Sequence, residues 1–469
     1  MNNTNLIYTI NEKPKTIKEL FGYSLQVMFS CITATLLIAL ICGTNLTAGL
    51  VAAGISTLFF LCITKFRAPL IISNSGATVS AVVGAIALMG PVEKNFLGVI
   101  IGGLTIAIIY SIAALLVKKF GVNWITKLIT PVMSGAIILI ISIQLGFFIP
   151  TYAQINGEYS LLGIGIMFLT MILVLLCAFY GKGLMKRWPI LFGVLGGYIV
   201  SIILALCGVQ NLVDLSHFQN MKLFVTPDFA FMHVSFINFD WNVVPQILIS
   251  FSLVALGALA EHLGDVINAS NICERDFLND PGLHRTLIGD GFGSLIGTII
   301  GAQPNTTYTE NLSTILISKC ASVYITLLAA IELIILGFFG PFSSFILALP
   351  NAVFAGASIC CYGMIGASAI KFLKKASIDF DDQKTIWIFA IMLMVGTSGL
   401  AINYGSFNIT GICLAIVVGI ILNLILKTKK KVRPPVKTTG KIVNTGTVLP
   451  DGTIVWEHNN SKENNENDT

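Results

Sequence analysis

Five carboxylates interrupt otherwise apolar stretches of this chain, and they mark where chemistry would be done: Glu261, Asp265, Asp290, Glu310 and Glu332. An ionisable side chain at bilayer depth is costly, so it persists where it binds, pairs or relays protons. Glu261 and Asp265 stand four residues apart, which puts both on one helical face, and Asn268 continues that stripe. Asp290 lies between Gly289 and Gly291. Glu310 follows the run from Pro304 to Thr309, which is too polar and too short for a lipid-facing helix. Its proline and its threonines favour an extended start. Irregular backbone at membrane depth survives only where protein buries it or where it lines a cavity. An extended stretch feeding a half-helix would aim backbone N–H groups and a helix N-terminus at a ligand, with Glu310 beside them. Such a site suits an uncharged solute carrying amide or ring N–H groups. Carboxylates accept from those donors, and backbone N–H groups donate to carbonyls. Burial and neighbouring carboxylates favour the protonated carboxyl, so Glu261, Asp265, Asp290 and Glu310 are candidates for proton coupling. The alternative for each is a satisfied bond between helices. For Asp290, a scaffold role and ligand contact both stand. Glu332 reads as structural or cavity-lining without solute contact, and His262 as helix packing.

The elements that must position these groups are membrane helices. Only 11% of the 469 residues are charged and 55% are hydrophobic, with a mean hydropathy of +0.85. A soluble core of this size could not hide that much apolar surface. Candidate spans of about 20 residues fall near 22–41, 45–63, 69–89, 96–117, 128–149, 160–180, 189–208, 243–269, 284–302, 306–318, 321–345, 349–370, 384–401 and 408–426. With the N-terminus inside, lysine and arginine concentrate in alternate loops: Lys65 and Arg67; Lys118, Lys119 and Lys127; Lys182, Lys186 and Arg187; Arg275 and Arg285; Lys319; Lys371, Lys374 and Lys375; and the basic run from Lys429 to Arg433. That bias fits about fourteen spans with both termini cytoplasmic. The polar stretch from Val209 to Asp240 divides the chain into halves of seven spans. Equal odd halves enter the membrane in opposite senses, the arithmetic of an inverted repeat. Arg67-Ala-Pro69 and Ala302-Gln-Pro304 each open a polar third segment, and six residues beyond each proline lie Ser75 and Glu310. The expected fold is therefore all-α and polytopic, a 7+7 inverted repeat with short extended stretches in segments 3 and 10.

The stretches from Ala260 to Gly264, Asp280 to Arg285 and Pro304 to Asn311 resemble the nucleobase–ascorbate transporter family, the uracil permease branch above all. Ser24 to Gln26, Ala34-Thr35, Arg67 to Pro69 and Tyr362 to Ser368 match as well. The resemblance spans about residues 20–427. It implies core domains over 21–120 and 241–346 and gate domains over 121–240 and 347–427. These lie between a cytoplasmic segment 1–20 and a largely disordered cytoplasmic tail 428–469. It further implies an elevator-like movement of core against gate, commonly in a homodimer in the cell membrane, and proton symport of a neutral base. By position Glu261 and Glu310 hold the base, Tyr308, Thr309, Ser75, Gly76 and Ala34 adjoin it, and Tyr362 lies on the gate side. Asp290 matches an acidic residue of purine-transporting members. The pattern departs at Asp265 (a histidine in uracil permeases), at Gly76 (a phenylalanine that packs on the base) and at Thr309 (a glycine). Loss of the aromatic wall would enlarge the cavity. Uracil is the leading substrate, with a purine such as xanthine as the alternative.

Other classes fit less well. An anion carrier of the same fold would be opposed by Glu261 and Glu310. No HExxH, GxSxG or Ser/His/Asp-like set supports an intramembrane hydrolase, so the expectation is a carrier, not an enzyme. A channel would not need a compact pair of half-helices. No clustered basic face suggests nucleic acid. The ten cysteines form no CxxC or Cys/His metal spacing, so neither metal nor cofactor is expected, and the partners are base, protons and lipid.

Overall fold

The structure, a computed structural model, describes residues 6–89, 96–147, 149–152, 154–155, 158–187, 189–209, 212–213, 215–219, 221–237, 239–375, 378–400, 402–404, 407–409, 411–426, 446–448 and 454–456. The first half holds α1 (Ile17–Cys42), α2 (Leu46–Ile63), strand β1 (Ile72–Asn74), α3 (Val79–Met89), α4 (Leu97–Phe120), α5 (Pro131–Gly146), α6 (Leu161–Tyr180) and α7 (Pro189–Leu206). The second half holds α8 (Val244–Cys273), α9 (Leu283–Ile300), strand β2 (Asn305–Thr307), α10 (Thr309–Ser318), α11 (Val323–Phe338), α12 (Asn351–Lys375), α13 (Gln383–Thr397) and α14 (Gly411–Ile425). Every predicted span thus has its helix, and segments 3 and 10 begin as strands. The expectation for the tail lies outside the described residues, apart from an antiparallel pair of Gly446–Val448 with Ile454–Trp456.

Local sequence sets the ends. Asn45 caps α2 by accepting the N–H of Ala48, Ser160 caps α6, and Asp382 caps α13. Gly301 ends α9 in the left-handed region, at φ +117°, which costs glycine nothing. Helices α2, α4, α6, α7, α8 and α12 are long and apolar enough to cross a membrane. Along α6 and α7 the residues Leu161, Phe179 and Leu206 are exposed; lipid solvates such surfaces where water would not.

The two halves are related by a twofold axis, and backbone hydrogen bonds show it. β1 and β2 pair antiparallel, with Ser73 opposite Thr306. Ser75 donates its N–H to Pro304 O at 3.1 Å, and Tyr308 donates to Ile71 O at 3.0 Å. Thr57 of α2 donates its hydroxyl to Ile72 O at 3.1 Å, as Ser294 of α9 does to Asn305 O at 2.8 Å. Packing repeats the pattern: α2 lies on α11 as α9 does on α4, and α1 on α11 as α8 does on α4. Among the rest, α6 pairs with α7 as α13 does with α14, and α12 lies on α6 as α5 does on α13. Two packed sets result, α1–α4 with α8–α11 and α5–α7 with α12–α14.

The same hydrogen bonds correct a correspondence drawn from the prolines. Counting from Pro69 and Pro304 aligns Ser75 with Glu310. The strands, however, begin three residues after Pro69 but directly after Pro304, so the twofold pairs Ser75 with Tyr308, Gly76 with Thr309 and Ala77 with Glu310. Ser75 and Tyr308 each sit in extended conformation just before a helical turn (φ −88° and −112°).

Two linking segments are sewn to the first set. Ile7 donates to Lys319 O, Ala321 to Tyr8 O, and Val323 to Ile10 O. Elsewhere, Val225 donates to Phe338 O and Gly340 to Leu223 O. Arg275 and Arg67 both grip Asp280, each at 2.5 Å, where the loop after α2 meets the loop after α8.

Candidate functional site

The crossing strands bring two helical N-termini together at the centre of the fold. The turn Gly76–Thr78 packs against α8, and so do β2 and α10. Ser75 is buried, and its hydroxyl has no hydrogen-bond partner among the described residues. A buried hydroxyl without a partner is costly.

Helix α8 supplies Glu261, and neighbouring glycines define where it faces. A Cβ on Gly257 would meet Ile416 of α14, and one on Gly264 would meet Ser134 of α5 and Phe372 of α12. Glu261 lies between these glycines at helical spacing, on the face turned toward α5, α12 and α14. Ser134 of α5 donates to Ala260 O at 2.9 Å, so the two packed sets meet directly beside Glu261. Glu261 is partly exposed, whereas Asp265, one turn on, is only 2% exposed.

Behind this face lies a polar hub that sequence reasoning missed. His262 is fully buried. Its Nδ1 is 3.1 Å from Thr307 Oγ1 and 3.2 Å from Asp290 Oδ2, and its Nε2 is 3.0 Å from Thr286 Oγ1. The Thr286 hydroxyl donates to Leu283 O at 3.0 Å, so it accepts from Nε2–H. The other oxygen of Asp290 accepts the backbone N–H of Thr307 at 2.6 Å. His262 and Asp290 therefore hold β2, and with it the start of α10, against α8 and α9. The expectation of simple helix packing for His262 is corrected: it is the link between three elements. Asp290 Oδ1 is thus taken up by the backbone of β2, whereas Oδ2 lies 3.2 Å from His262 Nδ1 and has no hydrogen-bond partner among the described residues. No signal in the sequence shows this hub, because its members lie on three separate elements.

The expectation for Gly76 also changes. The space above it is filled, because a Cβ there would lie 3.1 Å from Ile141 and 3.4 Å from Leu145 of α5. The wall that an aromatic residue would have formed is built instead by aliphatic side chains from α5. Tyr308 and Tyr362 are both buried, and Tyr362 O accepts from Ser142 of α5 at 2.7 Å. Ala34 lies in α1, and Thr309 and Glu310 form the first turn of α10. Their side chains are outside those described, so the expectations for them rest on position. Glu332 stands apart, on α11 against Ser24 of α1. No group of His, Cys, Asp and Glu that could hold a metal occurs among the described residues.

A cavity of about 350 Å³ opens away from these groups, lined by Thr44, Asn45, Phe96, Asp228, His233 and Gly301 among others. It lies at the ends of α1 and α9 and the starts of α2 and α4, on the face opposite the N-terminus.

Comparison with known proteins agrees with this architecture. Residues 18–405 match the model of a permease family, Xan_ur_permease. The uracil permease of Bacillus caldolyticus is 32% identical over 423 residues, covering 90% of this chain and 94% of its own length. That of Escherichia coli (strain K12) is 30% identical over 433 residues, covering 91% of this chain and 95% of its own. Among solved structures, the transmembrane domain of a cyanobacterium bicarbonate transporter, BicA, has a TM-score of 0.56 at 15% identity, covering 89% of this chain and 99% of that one. SLC26A9 has a TM-score of 0.59 at 13% identity, covering 87% of this chain and 65% of that one. The molecule is thus a multi-pass membrane protein with the seven-plus-seven core-and-gate fold. It belongs to the nucleobase–ascorbate transporter family.

Proposed function

We propose that this chain imports a neutral nucleobase, uracil first, by proton symport across the cell membrane. The observation that supports the reading is that the turn after Ser75, β2 and the start of α10 all pack on α8, the helix that carries Glu261 and meets α5 through Ala260 and Ser134. Glu261 and Glu310 accept from the ring N–H groups of the base. Backbone N–H groups at the two helical starts donate to its carbonyls, with Ser75, Gly76, Thr309, Ala34 and Tyr308 around it and Tyr362 closing from the gate. Asp265 takes part in proton exchange beside Glu261, and Asp290 acts by fixing β2. The uracil permeases at 30–32% identity support this substrate class.

Both termini are cytoplasmic in this reading, and the cavity beside Asp228 and His233 faces outward. The core comprises 21–120 and 241–346, the gate 121–240 and 347–427. Transport is the movement of core against gate in a homodimer. Ser134 and Ile141 of α5 lie on that seam, where such movement would break their contacts with Ala260 and Gly76.

A purine reading has one point in its favour: Gly76 contributes no side chain, so displacement of Ile141 would open room for a second ring. The test is a thermal-shift panel on purified protein with uracil, thymine, xanthine, hypoxanthine, urate and bicarbonate, since a ligand of the folded state raises apparent stability. Uracil should give the largest shift, and Glu261→Ala and Glu310→Ala should each abolish it. A shift retained in both variants moves the site elsewhere. A shift with xanthine alone selects the purine reading, and a shift with bicarbonate alone an anion.

A further inference from the structure

Glu332 is unused by the base site, and its surroundings are unusual for a carboxylate. It is the tenth residue of α11, about 14 Å along the axis from Val323 at 1.5 Å per residue, which is near the middle of a bilayer core about 30 Å thick. It is 9% exposed. Its Oε1 lies 2.6 Å from Ser24 Oγ on α1, and its Oε2 has no hydrogen-bond partner among the described residues. No lysine, arginine or histidine pairs with it there. The titratable groups on the elements packed around it are few. Lys18, Glu19, Tyr23, Cys31 and Cys42 lie on α1, Cys62 on α2 and Tyr324 on α11 itself. Glu19 lies more than a turn from Ser24 along α1 and accepts from Tyr8.

Proton counting decides the state of this pair. Ser24 Oγ is also 3.0 Å from Phe21 O, and one hydroxyl carries one hydrogen. If Glu332 is ionised, Ser24 must donate to Oε1, and Oε2 is left as a buried charge with no donor. An unpaired buried charge is far more costly than a neutral carbonyl lacking a partner. If Glu332 is protonated, it donates to Ser24, Ser24 donates to Phe21 O, and the chain of donors closes.

We propose that Glu332 is a proton-binding site of the core domain, separate from the base site, with Ser24 linking it to the backbone of α1. The proton enters and leaves by way of the Glu332–Ser24 pair, and because α1 and α11 belong to the same packed set it travels with the core. This role in coupling rests on the symport reading above, whereas the existence of the site does not.

The experiment uses full-length protein in liposomes. Infrared difference spectra of the wild type in H2O and D2O should show a protonated carboxyl band that shifts on deuteration, titrates away at alkaline pH and is missing in Glu332→Gln. Ser24→Ala should move that band, because it removes the group that accepts the proton. Gln is the isostere of the neutral acid, so Glu332→Gln should keep the thermal stability and base-induced shift of the wild type. Its protons moved per base, followed with a trapped pH dye, should fall below the wild-type number. The proposal is overturned if no band is assignable to Glu332, if the band neither exchanges nor titrates, or if Glu332→Gln moves as many protons per base as the wild type. Base uptake by the wild type with no proton movement overturns the symport reading instead, and the infrared titration then judges the site alone.

Discussion

The third segment of each half is the same device built from different residues. Each runs from a proline through a three-residue strand into a helical start, and each strand is held by a hydroxyl from the preceding helix, Thr57 for β1 and Ser294 for β2. Beyond that frame they diverge. Asn74 reaches the backbone of Thr35 on α1 at 3.1 Å, a neutral bond. Its counterpart Thr307 is held by His262 and Asp290. Gly76 meets aliphatic side chains of α5, whereas its counterpart Thr309 opens a turn containing Glu310. The twofold fixes the frame, and the ionisable chemistry is confined to the second copy. A ligand held between the two would meet a neutral wall on one side and acid groups on the other.

Breaking the anchor at Asp290 should have the largest effect. Asp290→Ala leaves the Thr307 N–H without its acceptor in a dry interior and should cost about 3 kcal/mol, read as a lower apparent melting temperature with loss of the base-induced shift. Asn74→Ala, on the neutral side, should cost about 1 kcal/mol and leave that shift measurable. Equal losses would mean that the two sides are not specialised.

Gly76 sharpens the comparison next. Gly76→Ala places a carbon 3.1 Å from Ile141 and should destabilise by about 1 to 2 kcal/mol. Ile141→Ala in the same chain should recover part of that loss, as a double-mutant cycle would show. Additive effects would place Ile141 out of reach of Gly76.

The two hydroxyls that hold the strands differ by one bond, because Thr57 also accepts the Ile72 N–H at 3.0 Å. Ser294→Ala should cost about 1 kcal/mol and Thr57→Val somewhat more.

The smallest effect is expected at the clamp joining the halves. Hydrogen bonds from Arg275 and then Arg67 hold Asp280 below the usual carboxylate range. Its contribution is complete above about pH 4, the ordinary aspartate value, and is lost as pH falls through the lowered one. Because Asp280 and Arg67 are 43% and 46% exposed, solvent weakens the effect. Asp280→Asn should lower the melting temperature slightly at neutral pH, and the difference from the wild type should vanish in strong acid.

Much of this was legible in the sequence, for reasons that differ residue by residue. Long apolar runs and alternating Lys/Arg loops fix the helices because lipid allows few other backbone arrangements. The polarity of Asn305 to Thr307 betrayed the strand in segment 10. The register between the halves was not legible from the prolines, because a chain can leave a proline by one residue or by three before it pairs. His262 was hidden because its partners come from α9 and β2, and helical spacing reports only neighbours on one helix. The wall above Gly76 was hidden for a similar reason, since the residues that fill it come from another packed set.

The pairing of β1 with β2 also bears on how the molecule is made. Among the described residues, Ile72 to Asn74 have no strand neighbour in their own half, so during synthesis the third segment must wait, its peptide groups incompletely paired, until the tenth emerges from the ribosome. The first seven segments are therefore an unfinished object. A chain terminated after the seventh segment should be a substrate for membrane quality control and not a half-sized carrier.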